Sequence, residues 1–354
     1  MRATTAGPVS LAPFPKMSEP LVSVALCTYN GAEFLEAQLW SILEQTRPVD
    51  EVVICDDGST DDTAAVVARV AAATSTRIVF EINPNKLGIT RNFERAISLT
   101  RGDLIFLSDQ DDLWYPTKVR DMLAAFARDP DLQLLHTDAR LVNQAGTALG
   151  ATLFDALELT PIERQQEHDG DAFDAFLRRN LVTGATAAFR RELFEAARPF
   201  PAEWLHDEWL AIIGAAIGRV DFLDFPLIDY RQHDHNQVGM RPRSWRDKLQ
   251  RVVTARGDYH RRLQRRAEML LRHLQKLDGR IKRCREAQVR EKFEHARVRS
   301  QLPSARLARI PIVLREIASG RYRRCSTGWR SIARDLIERI DPASSSMQTT
   351  RDTP

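Results

Sequence analysis

Short apolar runs alternate with stretches of helical periodicity through the first part of the chain. The apolar runs cover residues 21–27, 52–55 and 104–108, a further strand is predicted at residues 77–82, and turn-forming residues follow them. Runs of this length are typical of strands in the interior of a sheet. Because these strands are followed by turns and helices, the repeat predicts a parallel sheet with right-handed crossovers. The chain is therefore expected to have an α/β fold.

The remaining elements are predicted from the spacing of apolar residues. Helices are expected at residues 34–43, 61–70, 90–99 and 116–128, and further strands at 132–137 and 220–228. At the start of the first helix, Asn30 and Glu33 form a candidate capping box. The alternation of strands and helices thus extends well into the second half of the chain.

An acidic loop follows the fourth predicted strand. Asp109, Asp111 and Asp112 lie at the carboxyl end of that strand, which is where open parallel sheets bind ligands. Three carboxylates within four residues repel one another and raise each other's pKa unless a cation lies among them. Mg²⁺ or Mn²⁺ shared with a phosphate group is the cation that this pattern favours. The alternative is a loop that only caps the helix beginning near Pro116.

Three other turns are predicted at the same edge of the sheet. Tyr29 offers a flat face for a base, and Asp57 offers an acceptor for a ring N–H or a ribose hydroxyl. Lys86 and Arg91 can meet phosphate oxygens. Each residue alone has a plainer explanation, such as a turn-forming aspartate or a solvated arginine. Their convergence on one rim favours a nucleotide site.

Composition locates the positive charge of the chain. The 354 residues are 43% hydrophobic and 28% charged, with a formal net charge of +3. Residues 241–300 hold 20 Lys and Arg against 7 Asp and Glu, so the basic charge is concentrated there. No apolar run approaches the roughly 18 residues of a spanning helix, and the N-terminus lacks the order of a secretory signal. A cytoplasmic protein is expected.

The cysteines do not form a metal-binding or redox pattern. Cys27, Cys55, Cys284 and Cys325 are widely spaced and include no CxxC pair. Cys27 and Cys55 end predicted strands. They are therefore expected to be small core residues rather than ligands or disulfide partners.

Four motifs in order resemble family 2 glycosyltransferases with the GT-A fold, a Rossmann-like fold with a mostly parallel central sheet flanked by helices. They are residues 24–31, 51–63, 87–94 and 106–116, and the resemblance covers about residues 21–239. It implies a nucleotide-sugar donor, a divalent metal held through a DxD motif, and an inverting transfer. Asp111 of the DxD is implied to contact the metal, together with Asp109.

The resemblance also assigns residues to the donor site and to catalysis. The nucleotide-sugar site would comprise Thr28, Tyr29, Asn30, Asp57, Lys86, Arg91, Asp109, Asp112 and Gly184. Asp207, at the start of an apolar helix, would be the base that deprotonates the acceptor hydroxyl, and Glu208 is the alternative. His233 would complete the metal shell or touch the diphosphate, although a lone histidine is as readily structural or exposed.

Residues 108–114, 206–211 and 230–233 together most resemble a bacterial rhamnosyltransferase-like branch, and the substrate expectations rest on that resemblance. That branch suggests dTDP-L-rhamnose as the donor and a lipid-linked or polysaccharide acceptor in cell-surface glycan synthesis. The chain lacks the QxxRW motif and membrane spans of processive synthases, so transfer of one sugar is expected. Two other functions are weighed. A nucleic-acid-binding protein would not need the acidic loop, and a sugar nucleotidyltransferase usually has a Gly- and Arg-rich loop after its first strand.

Four regions are expected along the chain. Residues 1–19 and 341–354 are predicted to be disordered, and residues 20–240 form the catalytic domain. Residues 241–340 form a basic helical extension. Its apolar and basic faces suit the anionic surface of a membrane, which would place the protein at the cytoplasmic face of the inner membrane. Packing of these helices on the catalytic domain is the alternative.

Overall fold

The predicted parallel strands form one half of a large sheet. The computed structural model describes residues 19–232, 259–277, 279–281 and 283–338. The first four strands are β1 (Val22–Thr28), β2 (Glu51–Asp56), β3 (Arg77–Ile82) and β4 (Leu104–Ser108). They run parallel in the order β3-β2-β1-β4. The predicted strands of this region are confirmed, and their carboxyl ends share one rim.

The other half of the sheet is mixed. It contains β5 (Leu113–Trp114), β6 (Leu132–Asn143), β7 (Ala148–Thr152), β8 (Ala188–Arg190) and β9 (Arg219–Gln232). The order continues from β4 as β8-β6-β9-β5, with β7 beside β6. Strand β9 pairs with β6 as far as Asn143 and Gln232, so it is longer than predicted. Tyr230 and Arg231 therefore lie within this strand and not after it.

Helices cover both faces of the sheet. Within residues 19–232 they are α1 (Ala32–Leu43), α2 (Thr63–Ala72), α3 (Ile89–Leu99), α4 (Lys118–Arg128), α5 (Leu153–Ala156), α6 (Pro161–His168), α7 (Ala172–Arg178), α8 (Arg191–Ala197) and α9 (His206–Ile217). Alternate residues of β1 enter opposite cores. Ala25 lies in the core beneath α3, α7, α8 and α9, and Val24 lies in the core beneath α1, α2 and α4. The α/β fold with helices on both faces is thus confirmed.

The predicted capping box at the start of α1 is wrong. Gly31 is the N-cap residue, and no side chain within the helix caps it. The amides of Gly31 and Ala32 instead donate to Thr63 Oγ1 at 3.0 Å and Asp61 Oδ2 at 2.9 Å. The turn after β2 therefore satisfies the free N–H groups of α1, which no local sequence pattern could indicate.

The basic region continues as helices. The described ones are α10 (Tyr259–Lys276), α11 (Arg283–Ser300), α12 (Arg306–Ala318), α13 (Arg321–Cys325) and α14 (Trp329–Ile337). Leu270 and Leu274 of α10 belong to the core that contains α9. His273 Nε2 donates to the carbonyl of Ala196 at 2.8 Å, and its ring packs edge-on against Trp209. The helix α10 therefore packs on the α/β region that contains α9.

No helix among the described residues combines the length and the apolar composition needed to span a bilayer. The expected leader, apart from Glu19, and the expected tail lie outside the described residues. Cys27 and Cys55 are free thiols in or beside the core, as predicted.

A buried ion pair joins the helices of the extension. The guanidinium of Arg299 donates to both oxygens of Asp335 at 2.6 and 2.8 Å, and Tyr322 Oη donates to Asp335 at 2.7 Å. Asp335 is 2% exposed and Arg299 is 4% exposed. The three residues belong to α14, α11 and α13, so this pair holds three helices together.

Asp335→Ala is expected to lower the free energy of unfolding by about 3–5 kcal/mol, because Arg299 is left buried without its counter-ion. Chemical denaturation of the purified chain measures the change. The matched control is Asp224→Ala, which removes an exposed partner of Arg164 and should cost less than about 1 kcal/mol. Equal losses for the two variants would contradict the structural importance of the buried pair.

Candidate active site

The turn after β1 is bound to the turn after β2. Thr28 Oγ1 donates to Asp56 Oδ2 at 2.7 Å, and the other oxygen of Asp56 accepts from the amides of Gly58 and Ser59 at 3.1 and 2.7 Å. Asp56 is buried, and its carboxylate is occupied by these bonds. Asp56 therefore shapes the rim and does not present a free carboxylate to a ligand.

Asn30 links the same two turns. Its backbone adopts a φ of 49°, a left-handed conformation that asparagine tolerates better than most residues. Asn30 Oδ1 accepts from the amide of Thr60 at 2.8 Å, and the amide of Asn30 donates to Ser59 Oγ at 2.8 Å. The structure gives Asn30 a positioning contact, and its predicted contact with a nucleotide sugar stays a prediction.

Asp57 holds the loop that carries Lys86. One oxygen of Asp57 accepts from the amide of Leu87 at 2.7 Å and from Asn83 Nδ2 at 2.9 Å. The other oxygen accepts from the amide of Gly88 at 2.9 Å. Asp57 is only 4% exposed, so both oxygens act mainly on the protein itself.

The aromatic ring predicted to hold a base is accessible. Tyr29 is 41% exposed, and the ammonium of Lys86 lies 3.5 Å from the centre of its ring. The structure therefore brings Tyr29, Asp57 and Lys86 together as predicted from the sequence. Arg91, by contrast, is exposed on α3 and pairs with Glu94 at 2.5 Å.

Gln110 connects the first turn to the acidic loop. Its Oε1 accepts from the amide of Tyr29 at 2.9 Å, and its Nε2 donates to the carbonyl of Tyr29 at 3.2 Å. This close approach requires glycine at position 31, since a Cβ there would lie 2.3 Å from Gln110 Oε1. Sequence reasoning gave Gln110 no role, because the contact joins residues that are far apart in the chain.

Backbone and side-chain groups of β9 hold the acidic loop. The amide of Arg231 donates to Asp112 Oδ1 at 3.0 Å, and Arg231 Nε donates to the carbonyl of Asp111 at 2.8 Å. Asp112 Oδ2 is buried and has no hydrogen-bond partner in the described part of the chain. Buried carboxylate oxygens are rarely left unpaired, so this oxygen is available to a cation or a ligand donor.

Lys118 lies beneath the acidic loop and was missed from the sequence. It is fully buried, its ammonium donates to the carbonyl of Ala185 at 2.7 Å, and the same ammonium lies 3.9 Å from the centre of the Trp114 ring. Lys118 precedes Met122 by one turn on the buried face of α4, which is the signal that could have found it.

The pKa shifts show that the carboxyl groups share one space. Burial, and then the negative charges of Asp111 and Asp207, raise the pKa of Asp109 to about 7. Burial, together with Asp111 and Asp109, raises the pKa of Asp112 well above its ordinary value. Burial lowers the pKa of Lys118 to about 7, although Asp112 and Asp109 oppose that effect. The acidic loop and Asp207 therefore lie close enough for their charges to act on one another.

Two backbone amides orient Asp207 at the start of α9. The amide of Gly184 donates to Asp207 Oδ2 at 3.1 Å, and the amide of Glu208 donates to Oδ1 at 2.7 Å. Burial raises the pKa of Asp207 to about 6, with these amides opposing it. Glu208, the alternative base, accepts instead from Arg266 of α10 at 2.6 Å.

His206 is a third residue that sequence reasoning left without a role. Its ring stacks on Phe93 at 3.9 Å, and neither of its nitrogens has a hydrogen-bond partner within the described residues. Burial lowers the pKa of His206 to about 3, so the ring is neutral and keeps one donor and one acceptor. A Cβ at Gly184 would lie 2.8 Å from His206 Nε2, which explains why glycine occupies that position.

The carboxylate oxygens of the acidic loop are the groups that could bind a metal. Carboxylate oxygens suit Mg²⁺ and Mn²⁺, and the unpaired Oδ2 of Asp112 fits such an ion. Within the described ranges, a closely spaced group of three candidate ligands occurs elsewhere, at His260, Asp335 and Glu338. There Arg299 already neutralises Asp335, so that group is an ion-pair network. His233 lies outside the described residues.

Comparison with known proteins decides the family. Residues 23–197 match the family model described as Glycosyl transferase family 2. This segment of the chain belongs to that family. The matched segment contains β1 to β4, the acidic loop and Gly184, whereas Asp207 lies beyond it.

Curated relatives of this chain align with it over only part of their own length. An uncharacterised glycosyltransferase of Nostoc sp. is 26% identical over 226 residues, which cover 61% of this chain and 66% of that protein. A chondroitin synthase of Escherichia coli is 35% identical over 130 residues, which cover 37% of this chain and 19% of the synthase. The chain thus spans less than two thirds of the length of these relatives.

Solved structures of other glycosyltransferases share the fold. A mannosyltransferase of Pyrobaculum calidifontis in complex with GDP-Man and Mn²⁺ has a TM-score of 0.50 and 21% identity, covering 94% of this chain and 88% of that chain. TarS of S. aureus in complex with UDP-GlcNAc has a TM-score of 0.52 and 17% identity, covering 78% and 72%. The predicted GT-A fold is confirmed.

The contact between Gly31 and Gln110 predicts non-additive substitutions. Gly31→Ala should lower the free energy of unfolding by about 1–3 kcal/mol, because the new Cβ displaces the Gln110 carboxamide from the Tyr29 backbone. In a Gln110→Ala background the same substitution should be nearly neutral. Denaturant unfolding of the four proteins gives the coupling directly. The same cost in both backgrounds would show that displacement of the Gln110 carboxamide does not cause the loss of stability.

Proposed function

We propose that this chain is a metal-dependent, inverting glycosyltransferase that moves one sugar from a nucleotide-sugar donor to an acceptor hydroxyl. The observation that carries the proposal is the convergence of the acidic loop after β4 with Asp207 at the start of α9. The charges of Asp111 and Asp207 both act on Asp109, so the two elements face one space. The family assignment supports the same reaction class.

The donor is proposed to lie along the rim of the parallel strands. Tyr29 and Asp57 would hold the nucleobase, with Thr28 and Asn30 shaping the turn. Lys86, which lies over the Tyr29 ring, is free to approach a phosphate, since no carboxylate partner is found for it in the described part of the chain. Arg91 would approach the diphosphate by leaving its exposed pair with Glu94.

The metal is proposed to bind at the acidic loop. Asp111 would contact it directly, with Asp109 as a second ligand, and Asp109 and Asp112 would also orient the ribose or the sugar. Mg²⁺ and Mn²⁺ commonly bind through one or two protein carboxylates and the substrate phosphates, which suits this open arrangement. When bound, such an ion neutralises charge on the departing diphosphate. The Mn²⁺ bound by the Pyrobaculum mannosyltransferase supports the proposal.

Asp207 is proposed as the general base. It would accept the proton of the acceptor hydroxyl while that oxygen attacks the anomeric carbon and the nucleoside diphosphate departs from the opposite face. A pKa of about 6 leaves Asp207 mostly ionised at neutral pH and close to the value at which a base works best. Glu208 is less suited, because its carboxylate is already bound to the guanidinium of Arg266. Gly184 would allow the sugar to approach closely.

The substrates are proposed from the sequence motifs. The donor would be dTDP-L-rhamnose, and the acceptor a lipid-linked or polysaccharide glycan of the bacterial cell surface. The alignment with a chondroitin synthase supports a glycan acceptor. Such acceptors would place the enzyme in the cytoplasm, at the inner face of the inner membrane. UDP-GlcNAc and GDP-mannose, which two structural neighbours bind, are the reference donors for a test.

Two substitutions should separate donor binding from catalysis. Asp111→Ala is expected to abolish the Mn²⁺-dependent rise in melting temperature that the correct donor causes. Asp207→Asn should keep that rise and slow turnover by about 10²–10⁴. Turnover is followed as donor hydrolysis, with water in place of the acceptor. Asp224→Asn, an exposed change, is the control for both readouts. The reverse pattern would overturn the two roles.

The raised pKa of Asp207 predicts the direction of the pH dependence. A base is active when deprotonated, so kcat at saturating donor and metal should fall about tenfold per pH unit below pH 6 and level off above it. A kcat profile from pH 5 to 8 tests this expectation. The residual activity of Asp207→Asn should lack the acidic limb. If the limb persists in that variant, another group is responsible.

A further inference from the structure

Helix α12 exposes four large apolar side chains and buries two charged ones. Leu307 is 81% exposed and Leu314 is 58% exposed, and Ile310 and Ile317 are exposed as well. On the opposite side, Arg309 is fully buried and Glu316 is 4% exposed. An ordinary surface helix shows the reverse arrangement. The four exposed side chains, here named the α12 stripe, therefore need an explanation.

The buried charges of α12 fix its orientation. Arg309 donates to the carbonyls of Pro303, Ser304, Asp335 and Glu338 at 2.6 to 2.9 Å. Glu316 bonds to His295 at 2.8 Å and to Arg321 at 2.8 Å. Rolling the helix to bury its stripe would leave these groups without partners, which is costly. The stripe therefore stays on the surface.

Positive charge flanks the α12 stripe. At about 100° per residue, the four apolar side chains span an arc of roughly 80°, with Arg306 on one side and Arg315 on the other. Both arginines are exposed, and neither pairs with a carboxylate in the described part of the chain. The helix carries no acidic residue on its exposed half, since Glu316 is buried. The surface is therefore apolar with a basic border.

We propose that the α12 stripe docks on the surface of an anionic lipid bilayer. The four apolar side chains would enter the boundary between headgroups and acyl chains, and Arg306 and Arg315 would meet lipid phosphates. A symmetric pairing of two copies of this chain is disfavoured. It would bring the arginines of both copies into one interface without an acidic residue to offset their charge. Only the identity of the cellular membrane rests on the proposed function, because lipid binding itself requires no nucleotide-sugar donor.

Vesicle flotation of the full chain tests the proposal. Binding to vesicles of phosphatidylglycerol and phosphatidylcholine should be about 30-fold tighter than to phosphatidylcholine alone, as expected for two arginines near an anionic surface. Added salt should weaken it. Leu314→Glu should weaken binding at least roughly tenfold. The double variant Arg306→Gln with Arg315→Gln should remove most of the preference for anionic lipid.

Two further variants make the test specific. Leu307→Glu repeats the change at the most exposed position, where it is least able to affect folding. Leu149→Glu, at an exposed leucine of β7, is the matched control and should bind as the unmodified chain does.

The proposal would be overturned if the stripe variants bound vesicles as well as the control, or if neutral and anionic vesicles bound equally. It would also be overturned if sedimentation without lipid showed a dimer that Leu314→Glu dissociates, since the face would then join two copies. Retained donor binding in a variant that has lost vesicle binding would separate this proposal from the transfer reaction.

Discussion

The concentration of carboxyl groups at the carboxyl end of β4 is the constraint on which the site depends. Asp109 and Asp112 are raised in pKa first by burial and then by their acidic neighbours. The fold offsets part of this cost with Lys118, which is buried beneath them, and with the amide of Arg231. The unpaired oxygen of Asp112 shows that the compensation is incomplete. A divalent cation would complete it.

Two carboxylates of the neighbouring turns bind the protein itself. Asp56 and Asp57 accept hydrogen bonds from backbone amides of the rim. These bonds fix the turns that present Tyr29 and Lys86, which remain accessible. Gln110 then couples the Tyr29 turn to the acidic loop. Asp56 and Asp57 thus fix the turns of the rim, whereas Asp112 keeps one oxygen without a hydrogen-bond partner among the described residues.

The sequence predicts the parallel half of the sheet well, because most of those strands are largely apolar segments between turns. It also predicts which turns share the rim, since parallel strands end on one edge. Local patterns fail where partners are distant in the chain. The capping of α1 by Asp61, the extension of β9 along β6, and the burial of Lys118 all depend on such partners. His206 was missed because a histidine next to two acidic residues is typical of the start of a helix.

The basic extension bears directly on the identity of the base. Arg266 of α10 pairs with Glu208, and its guanidinium lies over the Trp204 ring at 4.0 Å. His273 of the same helix anchors α10 against Trp209, two residues after Asp207. The extension therefore binds one of two adjacent acids, whereas the hydrogen bonds that the described residues make to the other come from backbone amides. Burial raises the pKa of both carboxyl groups, and Arg266 opposes that rise most directly at Glu208, to which it is bound.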